Sequence, residues 1–191
     1  TVELLGFVAP SEALRRDGAR PGDLLFVSGW PGESAAGLAA LAGGVPATSQ
    51  DALVRRHLYA EPRVDLGRAL RGRATAAMDV SDGLLLDLDR LCRASGCGAE
   101  LTLDCLPMSP ALAAAGDLQQ CQHWLLSGGD DYELLFTADV SRAAELAEIA
   151  ARLALPLTCI GRIVAGNRVR VLDPQGDEVL FTRRGYEHHQ S

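Results

Sequence analysis

With 191 residues, 48% of them apolar, the chain is long enough for one generous domain with a sizeable core, and intrinsic disorder is not the default. Its 18 basic and 25 acidic residues give a formal net charge of −7, which argues against nucleic acid as a partner, because phosphate binding relies on clustered positive charge. No apolar run approaches the roughly 18 to 20 residues that cross a bilayer, and no secretory signal is recognisable, so we expect no membrane partner.

The first half of the chain predicts two strands and then three helices. The opening run TVELLGFV is strand-like and does not begin with Met, so we expect the chain to be a piece of a longer protein. The elements expected next are a strand over 24–30, a helix from Glu33 or Ser34 to Gly43 and Gly44, a helix with Ser49 as N-cap that ends before Pro62, and a short helix over 64–71.

The second half predicts strands and helices that end in a run of short strands. In order, we expect a strand over 74–80, a helix to about Ser95, a strand within 96–107, one or two helices within 109–129, a strand over 131–138, an amphipathic helix over 141–155, and strands within 157–164, 168–173 and 178–182. The closing strands read as a meander. An α+β layered domain is therefore favoured over a doubly wound parallel sheet.

The arginines and cysteines also limit the chemistry. All 18 basic residues are arginine, so neither a Walker A lysine nor a Schiff-base lysine is present. The five cysteines are scattered and odd in number, which argues against a disulfide framework or a zinc site. We expect them to be reduced and mostly buried, as in a cytoplasmic protein.

The stretch MDVSDGL combines three oxygen-bearing side chains with the start of a helix. Ser81 or Asp82 could simply cap the helix that follows, whose leucines share one face while Asp87, Asp89 and Arg90 fall on the other. A cap needs one residue, however, and Asp79 lies at the end of the preceding strand. A strand–loop–helix junction with several oxygen donors can also hold Mg²⁺ and phosphate. From the residues alone both readings stay open.

The stretch SGGDDYELLF is a second candidate. Its double glycine permits close approach of a ligand, and three acidic residues follow at once, Asp130, Asp131 and Glu133. The plainer interpretation is a Gly-Gly turn before an edge strand with solvated carboxylates. The segment SGWPGESAAGL fits no phosphate-loop spacing and is better explained as a tight strand-to-helix turn. The adjacent His188 and His189 are more simply solvated than metal-binding.

Taken together and in order, these stretches resemble the thiamine-monophosphate kinases. The segments GDLLFVSGWPGESAAGLAAL, RRHLYAEPRVDLGRAL, AAMDVSDGLLLDLDRLCRASGCGAEL, LSGGDDYELLFT, CIGRIV and GYEHH cover nearly the whole chain. These kinases belong to the superfamily of aminoimidazole ribonucleotide synthetase and selenophosphate synthetase. The resemblance implies a layered α/β sandwich like the C-terminal domain of that superfamily, over 21–191. Residues 1–20 would be the last strand and connector of a truncated N-terminal domain.

The resemblance also implies an activity and a set of site residues. The family transfers the γ-phosphoryl group of ATP to thiamine monophosphate with the help of Mg²⁺. By that likeness Asp79 and Asp82 would be magnesium ligands and Ser81 an ATP contact, while Asp130 and Tyr186 would contact the thiamine substrate. Asp130 stands where the family commonly has Glu, so its reach is shorter by one methylene. The full-length protein would be a homodimer through the missing domain.

Two other functions remain open at this point. The first is another ATP-dependent member of the superfamily with a different substrate, such as a ribonucleotide or a hydrogenase-maturation ligand. The second is a non-catalytic binding domain in which the aspartates serve only as a helix cap.

Overall fold

A computed structural model describes residues 3, 5–9, 12–181 and 185 of the chain. Its strands are β1 (Leu24–Ser28), β2 (Ala74–Val80), β3 (Gly98–Thr102), β4 (Glu133–Ala138), β5 (Leu157–Val164) and β6 (Val169–Leu172). Its α-helices are α1 (Glu33–Leu41), α2 (Ala47–Leu58), α3 (Val64–Leu70), α4 (Leu84–Ser95), α5 (Pro110–Ala113), α6 (Leu118–Ser127) and α7 (Ala143–Leu153). Two short 3₁₀ turns lie at Leu103–Cys105 and Val140–Arg142.

The six strands form one sheet in the order β2-β4-β1-β5-β3-β6. The neighbouring pairs are antiparallel except β3 and β6, which run parallel. The predicted closing meander is wrong, because β5 and β6 are consecutive in the chain yet lie on opposite sides of β3. The expected strand within 178–182 is also wrong for its described part, since only an isolated bridge joins Glu178 to Leu172. β4 is an inner strand, not the edge strand that a simple Gly-Gly turn would precede.

Helices cover the sheet on both faces. Five helices, α1, α2, α4, α5 and α6, supply the larger apolar cluster, which includes Leu53, Leu88 and Leu125. On the opposite face α3 and α7 pack over the β1, β2 and β4 half of the sheet, where the stacked rings of Phe26 and Phe136 have centroids 5.3 Å apart. This arrangement confirms the predicted layered α+β fold. None of the described helices is both long enough and apolar enough to cross a lipid bilayer.

Local sequence signals explain most helix positions and fail at the starts of α2 and α4. The leucine stripe of α4 is buried as predicted, and the left-handed Gly96 ends the helix. The predicted N-cap of α2 at Ser49 is wrong. The helix begins at Ala47, directly after Pro46, and Ser49 lies buried inside it. Asp87 was expected on the solvent face of α4 and is instead fully buried. Its position three residues after Leu84 and four before Leu91 falls on the buried stripe.

The expected strand at the start of the chain does not form in the part that the structure describes. Residues 3 and 5–9 belong to no strand, and the side chains of Leu5 and Phe7 are exposed. A strand needs a neighbour for its backbone N–H and C=O groups, and this segment lies beside none of the six strands. Of the cysteines, three are buried as expected, whereas Cys105 and Cys159 are exposed, and all five are free thiols.

Candidate functional site

The two motifs singled out in the sequence meet at one end of the sheet. β2 and β4 pair antiparallel, with Val80 opposite Glu133, so the end of β2 lies beside the start of β4. Beyond the strands the backbones stay joined. The Asp130 amide donates to the Ser81 carbonyl at 2.8 Å, and the Tyr132 amide donates to the Val80 carbonyl at 2.8 Å. The MDVSDGL and SGGDDYEL segments therefore form one unit.

The double glycine makes this close approach possible. A Cβ atom added at Gly129 would lie 2.8 Å from the Ser81 carbonyl oxygen, and one at Gly128 would overlap the Trp124 carbonyl of α6. A side chain at Gly129 would push the two segments apart, and one at Gly128 would collide with the last turn of α6. The glycines thus allow backbones to contact each other closely, whereas the sequence interpretation predicted that they allow a ligand to approach.

Tyr132, which the sequence interpretation missed, contacts one of the predicted site carboxylates and is influenced by the charge of two others. The Tyr132 hydroxyl donates to Asp130 Oδ1 at 3.3 Å. Negative charge on Asp130 is the main cause that raises the pKa of Tyr132, and the charges of Asp79 and Asp82 raise it further. Asp79, Asp130 and Tyr132 are exposed, while Asp82 is half-buried. The arrangement concentrates negative charge where a cation could be held.

The predicted side-chain cap of α4 is wrong. Gly83 is the N-cap residue, with φ of 121°, and neither Ser81 nor Asp82 caps the helix with its side chain. The buried Asp87 organises the loop instead. Its Oδ2 accepts from the Ser81 amide at 3.0 Å and from the Asp82 amide at 2.9 Å. This contact leaves the side-chain oxygens of Ser81 and Asp82 out of the capping role.

Arg90 completes the support of this loop. It donates to Asp87 Oδ1 at 2.8 Å and forms a short ion pair with Asp82. Burial raises the pKa of Asp87, opposed by its hydrogen bonds to the two loop amides and to Arg90. Asp79, by contrast, forms no ion pair with any residue that the structure describes.

Two further acidic residues of SGGDDYEL are fully buried, contrary to the solvated alternative. Asp131 Oδ2 accepts from the Gly32 amide at 2.7 Å, and Oδ1 accepts from the Ser34 amide at 3.2 Å, both at the start of α1. Burial raises the pKa of Asp131 to about 7, against the lowering effect of these two amides and of Arg56. A carboxylate on the loop before β4, far away in the chain, therefore caps α1, which no local spacing could reveal.

Glu133 is the centre of a buried ionic cluster. Arg63 binds it in a fork, with Nε at 2.7 Å from Oε2 and Nη2 at 2.6 Å from Oε1. Arg56 forms a second, short ion pair with it, and the Ser28 hydroxyl donates to Oε2 at 2.6 Å. Arg56 also donates from Nη2 to the main-chain oxygen of Asp131 at 2.9 Å. The cluster joins α2, β1 and the Asp130 loop.

The donor set fits Mg²⁺ bound together with a phosphorylated ligand. Within the described ranges no group of three or more His, Cys, Asp or Glu side chains is arranged to hold a metal by itself. Asp79 at the end of β2 and Asp82 on the loop that follows offer two carboxylates, and Mg²⁺ typically takes one or two carboxylates, keeps waters and binds substrate phosphates. Asp82 would share its oxygens with Arg90.

Some of the sequence expectations fall on residues that are not described. Tyr186, the predicted second contact to the thiamine substrate, lies outside the described residues, and so do His188 and His189. Gly185 is described and lies against the MDVSDGL segment, because a Cβ added to it would be 2.5 Å from the Asp82 carbonyl oxygen.

This fold and this pair of joined loops belong to a known class of protein. Residues 20–174 match the family described as AIR synthase related protein, C-terminal domain, and the chain belongs to that family.

Within that family, the similar proteins with curated names are thiamine-monophosphate kinases. The enzyme of Salmonella typhimurium is 42% identical over 191 residues, which is 98% of this chain and 59% of the relative. The chain thus spans about 59% of the length of that relative. This confirms the resemblance deduced from the motifs.

Solved structures give the same relationship. The thiamine-monophosphate kinase of Stenotrophomonas maltophilia superposes with a TM-score of 0.83 at 40% identity, covering 90% of this chain and 56% of that one. AaThiL complexed with AMPPCP and TMP superposes with a TM-score of 0.74 at 35% identity, covering 92% and 54%. The hydrogenase maturation protein HypE of Escherichia coli shares the fold at 22% identity, with a TM-score of 0.71 over 88% of this chain and 52% of that one.

Proposed function

We propose that this chain is the C-terminal part of a kinase that uses ATP and Mg²⁺ to convert thiamine monophosphate to thiamine diphosphate. The observation that carries the proposal is the junction of the two motifs, where the end of β2 that carries Asp79 pairs with β4 and the Asp130 amide donates to the Ser81 carbonyl. The 42% identity to a thiamine-monophosphate kinase supports the choice of reaction, as does AaThiL, which binds AMPPCP and TMP together.

In this proposal each of the predicted site residues has one role. Asp79 and Asp82 hold Mg²⁺, which would supply the positive charge that two anionic reactants need. Ser81, on the same loop, contacts ATP. Asp130 contacts the thiamine substrate, and Tyr186 is proposed as a second contact. The carboxylates then act as cation holders; without a cation they would repel both phosphorylated ligands.

The chain's own residues have little covalent chemistry to perform in such a reaction. Phosphoryl transfer depends mainly on positioning and on stabilising charge. Because the acceptor is itself a phosphate, no strong general base is required to deprotonate it. The rigid backbone contacts between the Ser81 and Asp130 loops would keep the nucleotide contact and the substrate contact at a fixed separation.

The proposal includes a division of the enzyme into two parts. The curated relatives extend well beyond the matched region, and we propose that their additional N-terminal domain completes the nucleotide site and forms a homodimer. The 191-residue chain alone should then have no appreciable kinase activity.

The test is a direct assay of thiamine diphosphate formation from ATP and thiamine monophosphate. It compares the 191-residue chain with the longer protein that carries this chain and an N-terminal domain. We expect product from the longer protein only, and only with Mg²⁺. Robust turnover by the 191-residue chain would contradict the two-part proposal, and no turnover by either would contradict the reaction.

Ligand binding to the longer protein separates the other candidates. A thermal-shift series with thiamine monophosphate, ribonucleotides and Mg²⁺-nucleotide should give stabilisation by thiamine monophosphate and by Mg²⁺-nucleotide. Stabilisation by a different phosphorylated compound in place of thiamine monophosphate would indicate another substrate of the superfamily. If Mg²⁺-nucleotide gives no shift, the non-catalytic alternative is favoured.

A further inference from the structure

The loop that carries Asp130 has an unusual backbone conformation. Asp130 has φ of 63° and Tyr132 has φ of 52°, so two non-glycine residues adopt the left-handed region with one residue between them. A left-handed conformation is sterically unfavourable for such residues, most of all for a bulky one. Such conformations persist only where surrounding contacts impose them, and they are common at functional sites.

The residue between them, Asp131, makes contacts of the kind that can impose this conformation. Its side chain is turned inward and is 1% exposed, whereas its neighbours Asp130 and Tyr132 face solvent. Both of its carboxylate oxygens are engaged by the first amides of α1. Its own carbonyl oxygen accepts from Arg56 Nη2 at 2.9 Å. Asp131 is thus fixed from both its side chain and its main chain.

We infer that Asp131 is a positioning residue for Asp130, the substrate contact of the proposed function. By tying the loop to the start of α1, it holds Asp130 in its left-handed conformation, with its carboxylate beside the Tyr132 hydroxyl and its amide bonded to the Ser81 carbonyl. The inference rests on the proposed function for its kinetic consequence but not for its structural one.

Asp87 provides a matched comparison. It is also a fully buried aspartate that accepts two backbone amides, yet it supports the Ser81–Asp82 loop, which would hold Mg²⁺. If each buried aspartate acts on its own loop, Asp131→Asn and Asp87→Asn should affect different kinetic parameters of the longer protein.

Steady-state kinetics of the longer protein makes the first test. We expect Asp131→Asn to raise the KM for thiamine monophosphate about tenfold or more while changing the Mg²⁺ concentration for half-maximal rate less than twofold. Asp87→Asn should do the reverse. Equal effects of the two variants on both parameters would show a general structural role and would overturn the inference.

A double-mutant cycle shows whether Asp131 acts through Asp130. If it does, the variant Asp130→Asn/Asp131→Asn should have nearly the same KM as Asp130→Asn alone. Multiplicative effects would overturn the inference. The stability control is Glu100→Gln, which removes another buried carboxylate bound by Arg162, four strand spacings from β2, or about 19 Å. Its KM should stay within twofold of the parent.

Hydrogen exchange tests the structural claim even if the enzyme has a different substrate. The Asp130 and Tyr132 amides donate across the junction, so Asp131→Asn should speed their exchange at least tenfold, while amides of α7 remain unchanged. Unchanged exchange at both amides would refute the positioning role. If Asp131→Asn does not fold, Arg56→Gln tests the same loop, since it removes the donor to the Asp131 carbonyl and leaves the carboxylate in place.

Discussion

The Glu133 cluster allows a sharp test of what the buried charges contribute. Glu133 is fully buried, and it is bound by Arg63 and Arg56, whose side chains are 16% and 12% exposed. Glu133→Gln would leave two buried guanidinium groups facing a neutral amide that can accept fewer hydrogen bonds. Removing one partner of a buried ion pair typically costs about 3 to 5 kcal/mol, because the remaining charge stays buried without compensation. For a protein of this size that corresponds to a fall in Tm of roughly 10 °C.

Glu61 supplies the matched control for this measurement. It pairs with the same Arg63 at 3.1 Å, but its side chain is 73% exposed. Ion pairs of exposed side chains contribute about 0 to 1 kcal/mol, so Glu61→Gln should change the free energy of unfolding by roughly 0.5 kcal/mol or less. Urea unfolding at pH 7, monitored by tryptophan fluorescence, gives the change in the free energy of unfolding for both variants. A difference between the two variants below about 1 kcal/mol would refute the argument from burial.

Three further predictions concern pH, metal and backbone conformation. Burial raises the pKa of Asp131 from the ordinary 3.8 to about 7, so ionising it costs free energy in the folded state, and stability should fall as pH rises between those values. Urea unfolding should show a loss of roughly 2 to 3 kcal/mol from pH 5 to pH 8 that is reduced in Asp131→Asn; identical pH profiles would contradict this. In the longer protein, Asp79→Asn and Asp82→Asn should each lower thiamine diphosphate formation and raise the Mg²⁺ requirement, and parental behaviour of both variants in a Mg²⁺ titration would rule out the metal role. Gly83→Ala should destabilise the fold by about 1 to 3 kcal/mol, because φ is 121° and the new Cβ would lie 3.0 Å from a carbonyl oxygen of α6. Gly67→Ala, inside α3 with open space around it, should instead stabilise by roughly 0.5 to 1 kcal/mol, and equal thermal shifts of the two variants would contradict the conformational argument.

Local periodicity predicted the elements well wherever one face of an element is buried. The short strand predicted over 74–80 and the leucine stripe of the helix after it reappear as β2 and α4 at nearly the expected bounds. Strand order was not predictable in the same way. Nothing local in 157–164 or 169–172 specifies that β3 will lie between them, because a parallel β3–β6 pair depends on contacts between residues far apart in the chain.

The residues of the candidate site were likewise predictable only in part. Asp79, Asp82 and Asp130 could be singled out from the sequence because their types and spacing exceed what a cap or a turn requires. Tyr132 and Asp131 could not be assigned roles, because their roles depend on which groups surround them. Asp87 was predicted on the polar face of α4 and is buried instead, because its carboxylate finds the Ser81 and Asp82 amides as donors.

The sequence by itself determined the helices, most of the strands, the layered fold class, the family likeness and the carboxylates available for a cation. Only the tertiary structure decided which of the acidic residues face solvent and which are buried. Asp130 and Asp131 have the same side chain and are adjacent, yet one is exposed and the other is bound by α1 amides. That difference arises because burial of a charged group is stable only where a distant part of the chain supplies hydrogen-bond donors, and such partners are set by packing and not by local spacing.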